Sequence, residues 1–230
     1  MEFDSFVLAA ATGDLADADH AAAREHADAV EFRMDLAEDD PLAALDAYDA
    51  SLPVIATNRV EWEGGAAADD DRRLEVLGAA AEYDAVEAVD VELEAIERGD
   101  AAGVLANLPS DVSVIASVHD FDWTPDAESL HSLASAALEH GDVGKVVTTA
   151  ESVDDVPPLL QVTRTFAAQG MPVATMAMGE PGRHSRAIAP LYGSRIGYAP
   201  VRPEDATAPG QFDLATLSEL VRTLDPNPRA

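Results

Sequence analysis

Lys145 is the one lysine in a 230-residue chain whose other thirteen basic residues are arginine. It lies in Val143-Gly144-Lys145-Val146-Val147, an apolar, β-branched stretch that reads as a buried strand. Arginine cannot take over one role of lysine, because only a neutral amine attacks a carbonyl. Burial and neighbouring arginines would favour that neutral form, and such an amine forms an imine with a ketone. The iminium acidifies the adjacent C–H bond, so a general base is needed beside it. His119, in Ser117-Val118-His119-Asp120, belongs to the residue type that both accepts and returns a proton near neutral pH. Glu63 could orient its imidazole and fix the tautomer. Arg186 suits a carboxylate held in a bidentate clamp, and Glu31 and Gln211 suit hydroxyl groups. Together these residues describe a Schiff-base lyase or aldolase acting on a hydroxylated, carboxylated ketone. The competing reading of Lys145 is a stray lysine whose stem packs while its ammonium reaches solvent.

Groups so far apart in sequence can meet only if a regular scaffold gathers them. Short β-rich runs recur at Phe6–Ala11, Ala29–Met34, Val54–Asn58 and Val86–Leu93, then at Val112–Val118, Val143–Thr149, Pro172–Met178 and Arg195–Ala199. Amphipathic helical stretches separate them. In Glu128–His140, Leu130, Leu133, Ala134, Ala137 and Leu138 recur at helical spacing, and Leu217 and Val221 do so in Leu214–Leu224. Asp40-Pro41 reads as an N-cap followed by proline at the first helical position, and the acidic run Ala66–Asp71 as a loop and helix start. Strands alternating with helices over this length predict a single-domain (β/α)8 TIM barrel, slightly under the typical ~250 residues, with a doubly wound open sheet as the alternative. In a barrel, polar side chains at strand C-termini mark the active site. Period two puts Glu31 and Arg33 on one face, and likewise Asp90 and Glu92. Strand three ends in Thr57-Asn58-Arg59, and strand seven in Met176-Ala177-Met178.

Composition narrows the setting. Hydrophobic residues make up 47% of the chain, so it is globular despite a formal charge of −30. The acids are dispersed and lysine is scarce, which favours a salt-rich cytoplasm over nucleic-acid mimicry or cation binding. No basic stripe is present to hold phosphates, so nucleic acid is not expected as a partner. The absence of cysteine excludes disulfides, zinc–thiolate sites and thiol catalysis. Met1-Glu2-Phe3-Asp4 is acidic where a signal peptide would be basic, and no apolar run is long enough to span a bilayer. A soluble, cytoplasmic protein with no membrane contact is expected.

The local sequences are also specific. Glu31-Phe32-Arg33-Met34-Asp35, Arg59 with Glu63-Gly64-Gly65, and Ser117-Val118-His119-Asp120-Phe121 resemble the type I 3-dehydroquinate dehydratases. So do Gly144-Lys145-Val146, Met176-Ala177-Met178-Gly179 with Arg186, and Ala208-Pro209-Gly210-Gln211. The matches run in family order over most of the chain, and with the acidic composition they imply a halophilic archaeal source. The resemblance implies dehydration of 3-dehydroquinate to 3-dehydroshikimate in the shikimate pathway. Lys145 would form the Schiff base, and His119 would abstract the α-proton and help expel the hydroxyl as water. Glu63 would be the acidic partner of that histidine, and Arg186 would bind the substrate carboxylate. Glu31, Arg33, Arg59 and Gln211 would hold the hydroxyls and ring, with Thr207 where the family often has serine. Met176, Met178 and Asp90 would line the pocket. No cofactor or metal is expected, and a homodimer is implied. Tyr198 stands where the family more often has phenylalanine, and the Tyr198–Thr207 segment is longer than usual. A Schiff-base aldolase on the same fold, or a non-catalytic binding protein that kept the scaffold, are the rival readings.

Overall fold

A computed structural model describes residues 1–68 and 71–225. Eight strands are present among these residues: β1 (Val7–Thr12), β2 (Ala29–Arg33), β3 (Val54–Thr57), β4 (Val86–Glu92), β5 (Ser113–His119), β6 (Val143–Thr149), β7 (Val173–Met178) and β8 (Ile196–Pro200). The helices between them begin with α1 (Ala21–His26), α2 (Pro41–Asp46), α3 (Asp71–Ala80), α4 (Leu93–Arg98) and α5 (Ala102–Leu105). They continue with α6 (Ala127–His140), α7 (Val156–Ala167), α8 (Gly179–Gly182), α9 (Ser185–Ile188) and α10 (Leu214–Leu224). The strands form one parallel sheet in the order β7-β6-β5-β4-β3-β2-β1-β8. A bridge between Val173 and Ser194 brings the last edge against the first, so the sheet curls into a nearly closed barrel. The predicted (β/α)8 architecture is therefore the observed one.

Strand ends differ from the sequence reading by a residue or so. Thr12, His119 and Pro200 extend their strands, and β7 begins after Pro172, which has no N–H to give a ladder. Asp40 caps α2 as expected, accepting from Leu42 N at 3.1 Å. The helix start foreseen in the acidic run Ala66–Asp71 falls at Asp71, whereas Asp69 and Asp70 lie outside the described residues.

Two cores follow from strand parity. Ala29, Ile55, Ala88, Ile115, Val143, Ala174 and Ile196 face into the barrel and fill its lower part. Phe3 and Met1 pack on the same cluster, near the starts of β4 and β5, where Met1 meets Glu87 and Ser113. The alternate residues, such as Val30, Phe32, Val54, Ala56, Val89 and Val91, pack outward against helices. Period two then dictates what comes next along each inward face. After Ala29 come Glu31 and Arg33; after Ala88, Asp90 and Glu92; after Ile115, Ser117 and His119; and after Val143, Lys145. The barrel interior thus changes from apolar to charged toward the strand C-termini. Gly144 matters to this arrangement: a Cβ there would lie 2.9 Å from Leu138 Cγ and 3.1 Å from Ala134 O. Its absence lets α6 seat tightly behind β6, which fixes the strand that carries Lys145.

Candidate active site

A cavity opens at the C-terminal end of the barrel. Glu31, Arg33, Arg59, Glu63, His119 and Lys145 line its floor and one side. Met176, Met178, Arg186, Thr207 and Gln211 line the rest. Eleven of the twelve side chains singled out from sequence therefore converge on one space.

Lys145 is 4% exposed, and its Nζ lies 2.8 Å from Asp90 Oδ2 and 3.9 Å from Glu31 Oε1. The face of the Tyr198 ring sits 4.3 Å from the same nitrogen. This corrects the sequence reading of an amine among apolar groups and arginines: two carboxylates and an aromatic face surround it. An ammonium buried without a counter-charge costs several kcal/mol, about as much as a folded chain can spare, so an acid beside it is what permits its depth.

Asp90 is the second correction. It does not line the cavity but lies beneath it, its side chain fully shielded from solvent. From there its Oδ1 accepts from Arg59 Nη2 at 2.6 Å and from Ser117 Oγ at 2.6 Å, while Oδ2 takes Lys145. Burial opposes its ionisation, but Arg59 and Lys145 outweigh that and hold the carboxyl well below the usual range. Asp90 is thus a permanent anion that positions two cations. Strand register sets Asp90 between Thr57 of β3, which borders the cavity, and Ile115 of β5, a core residue.

Arg59 is the hub of the buried charges. Besides Asp90 it meets Ser117 Oγ at 2.8 Å, Glu92 Oε1 at 3.1 Å and Glu63 Oε2 at 3.4 Å. Glu92 is braced in turn by Arg73 at 2.8 Å. Arg33 makes a two-bond pair with Asp35, at 2.9 and 2.6 Å. The structural Glu31–Arg33 ion pair that strand parity could suggest is therefore not how Arg33 is held. Glu31 instead accepts from Thr57 Oγ1 at 3.2 Å.

His119 Nδ1 lies 2.8 Å from Glu63 Oε2, and its imidazole stacks on Phe121. Burial, Arg59 and Lys145 push the imidazole well below its ordinary value, so it is neutral at neutral pH. Burial first, with help from Glu92 and Asp90, pushes the Glu63 carboxyl up to about 8 against the pull of Arg59. A neutral imidazole whose Nδ1–H is held by an ionised carboxylate is a general base with its orientation set.

The far wall is built to receive an anion. Arg186 is 5% exposed, and its protein contacts are neutral: Met176 Sδ at 3.6 Å and Pro209 O at 3.4 Å. Burial pushes its pKa down to about 10, so it remains a cation at neutral pH, without an ion pair among the described residues. A buried guanidinium with free donors is a carboxylate site. Thr207 and Gln211 stand on the loop after β8, where Gln211 Oε1 accepts from Thr207 N at 2.8 Å and Ala208 N at 3.2 Å. Gly210, at φ +76°, lets this loop approach the start of α8 so closely that a Cβ would lie 2.5 Å from Gly179 O. Arg202 ties the loop down through Asp17 at 2.9 Å and Asp205 at 2.7 Å.

A family model described as type I 3-dehydroquinase matches residues 6–228. The chain belongs to that family. Its similarity to the 3-dehydroquinate dehydratase of Haloarcula marismortui is 57% identity, covering 97% of this chain and 98% of the relative. The enzyme of the same name from Halobacterium salinarum is 51% identical, over 97% of this chain and 100% of the relative. Such sources agree with the salt-rich setting that the acidic composition implied. Among solved structures, 3-dehydroquinate dehydratase from Geobacillus kaustophilus superposes with a TM-score of 0.81 at 26% identity, covering 97% of this chain and 92% of that one. Within this type I 3-dehydroquinase site, the sequence reading assigned no role to Thr57, Ser117, Glu92, Asp35 or Phe121. Inward parity on β3, β4 and β5 marks Thr57, Glu92 and Ser117, and Asp35 and Phe121 close two of the motifs that resemble the family. No helix among the described residues is long and apolar enough to cross a membrane.

Proposed function

We propose that this cavity dehydrates 3-dehydroquinate to 3-dehydroshikimate, a lyase step of the shikimate pathway, through an imine on Lys145. The observation that carries the reading is one buried amine, one neutral imidazole and one unpaired buried guanidinium around a single cavity. Arg186 takes the substrate carboxylate and sets the ring in register. Lys145 passes its ammonium proton to the neutral imidazole of His119 and attacks the ketone. That proton returns to the carbinolamine hydroxyl, which leaves as water, and the iminium's positive charge lies beside Glu31 and over the Tyr198 ring. His119, with Nδ1 held by Glu63, removes the proton from the carbon next to the iminium. The resulting enamine expels the hydroxyl, which leaves as water with the proton returned by His119, and water then releases the product from Lys145. Arg59, Arg33, Glu31, Thr207 and Gln211 present donors and acceptors to the ring hydroxyls, and Met176 and Met178 shape the wall. Side chains supply every step, so no cofactor enters it.

Borohydride reduction with 3-dehydroquinate in molar salt, followed by mass spectrometry, tests the reading. A single reduced adduct on Lys145, lost in Lys145→Ala, is expected. An adduct-free, folded protein that still turns over would overturn the imine route. A cytoplasmic location and a homodimer belong to the same proposal. Light scattering in molar salt tests the latter, since one chain has a mass of 24.1 kDa.

A further inference from the structure

Tyr198 carries an oxygen that the protein itself does not use. The residue is 4% exposed, and its Oη is buried without a hydrogen-bond partner among the described residues. Its place follows from β8: Ile196 and Tyr198 share the inward face, and Ala9 of β1 is its neighbour in register. An alanine there leaves room for the phenol ring to lie across the cavity, where it forms part of the wall. Phenylalanine would fill the same space without leaving a polar atom unsatisfied. A buried hydroxyl with no partner is destabilising, and it belongs to a residue that borders the ligand cavity, so its presence calls for a role met only on binding.

Direction comes from Lys145. Its Nζ stands 4.3 Å from the Tyr198 ring centroid, over the ring face. The hydroxyl therefore lies one ring radius and one C–O bond to the side of the amine. Combined with the 4.3 Å height over the ring, that offset separates amine and hydroxyl by a span comparable to an imine nitrogen reaching a hydroxyl on the carbon next to the imine carbon, plus one hydrogen bond. Burial first, then Glu31 and Asp90, push the phenol well above its ordinary value of 10. The group thus stays protonated at working pH and acts as a donor.

We propose that Tyr198 Oη donates a hydrogen bond to the substrate hydroxyl on the carbon that flanks the ketone, on the side away from the carbon that loses its proton. The inference rests on the imine reading above and deepens it. Tyr198 then has two separable parts. The ring face lies against the iminium nitrogen, where its negative quadrupole favours the positive charge. The oxygen checks that the bound ketone carries a neighbouring hydroxyl, a requirement for which a hydrogen-bonding site discriminates more sharply than an apolar one.

Tyr198→Phe removes the oxygen and keeps the ring. In molar salt, ligand-free Tyr198→Phe should melt at or above the wild-type temperature, because an unsatisfied buried hydroxyl has gone. KM for 3-dehydroquinate should rise roughly fivefold to tenfold, the worth of one hydrogen bond, with kcat changing far less. The borohydride adduct should still form on Lys145. An unchanged KM with the adduct intact would overturn the inference and leave the imine mechanism standing. A melting temperature several degrees lower in the ligand-free variant would also overturn it, by showing a structural use for the oxygen. If the wild-type protein forms no adduct, the imine reading fails and this inference fails with it.

Discussion

The His119–Glu63 pair makes the pH dependence of turnover a quantitative test of the mechanism. Glu63 is pushed up to about 8, while His119 is held well below 6.5. Below pH 8 the pair therefore carries one extra proton. If that proton is on the carboxyl, it is donated across the 2.8 Å contact to Nδ1, and Nε2 must hold the imidazole proton. If it is on the imidazole, both nitrogens are protonated. Neither form has a free Nε2, so only the pair that has lost the proton, with Nδ1–H donating to the Glu63 carboxylate, can act as base. The logarithm of kcat/KM should climb with a slope of about one and level off above pH 8. The rate would be about a tenth of the plateau at pH 7 and about a hundredth at pH 6. The decisive perturbation is Glu63→Gln, whose amide oxygen can still accept from Nδ1–H but cannot hold the proton. Its profile should be flat from about pH 6.5 upward, on a plateau lowered by roughly 10²-fold because no anion stabilises the imidazolium. Initial rates read from the ultraviolet absorbance of the conjugated product, in molar salt at constant ionic strength, supply both profiles. A wild-type profile without a limb near 8, or a Glu63→Gln profile that keeps it, would refute the reasoning. Stability supplies an independent sign. The unfolded chain ionises this carboxyl near 4.5 and the folded chain only near 8, so Glu63 costs stability increasingly as pH rises across that window. Glu63→Gln should accordingly melt higher than wild type at pH 8, even though it is slower.

Three further outcomes are expected. Arg186→Ala should raise KM by roughly 10- to 100-fold, the worth of hydrogen bonds to a charged group, and steady-state kinetics with 3-dehydroquinate would show it. Asp90→Asn takes the shared anion from beneath Arg59 and Lys145, which are both buried. Chemical unfolding in molar salt should show a loss of roughly 3–5 kcal/mol, and a near-neutral result would mean that the two cations find other partners. Finally, a formal charge of −30 spread along the chain predicts that the melting temperature falls steadily as salt is diluted from molar to millimolar. Calorimetry across that range checks it, and a salt-independent melting temperature would count against a fold tuned to high ionic strength.

Local sequence sufficed wherever a periodic rule was at work. The alternation of β2 and β4 placed Glu31 with Arg33 and Asp90 with Glu92 on inward faces, and the leucine stripe of α10 bounded that helix at Leu214 and Leu224. A backbone repeat dictates both, and it needs no knowledge of neighbouring strands. The solitary Lys145 in a β-branched run and the histidine ending β5 were visible for the same reason. Other features depended on register between strands and on loop paths, which no local pattern encodes. Asp90 was expected on the cavity wall and lies under it, at a depth set by the stagger that places it between Thr57 of β3 and Ile115 of β5. Its contact with Lys145 spans 55 residues, and the His119–Glu63 contact spans 56. The same holds for the unpaired Tyr198 oxygen. The sequence alone determined which side chains point inward and therefore what chemistry the barrel could hold. Tertiary structure decided which charges meet, because a carboxylate's effect on a neighbour depends on ångström distances in a poorly solvated interior, and only the closed barrel sets those distances.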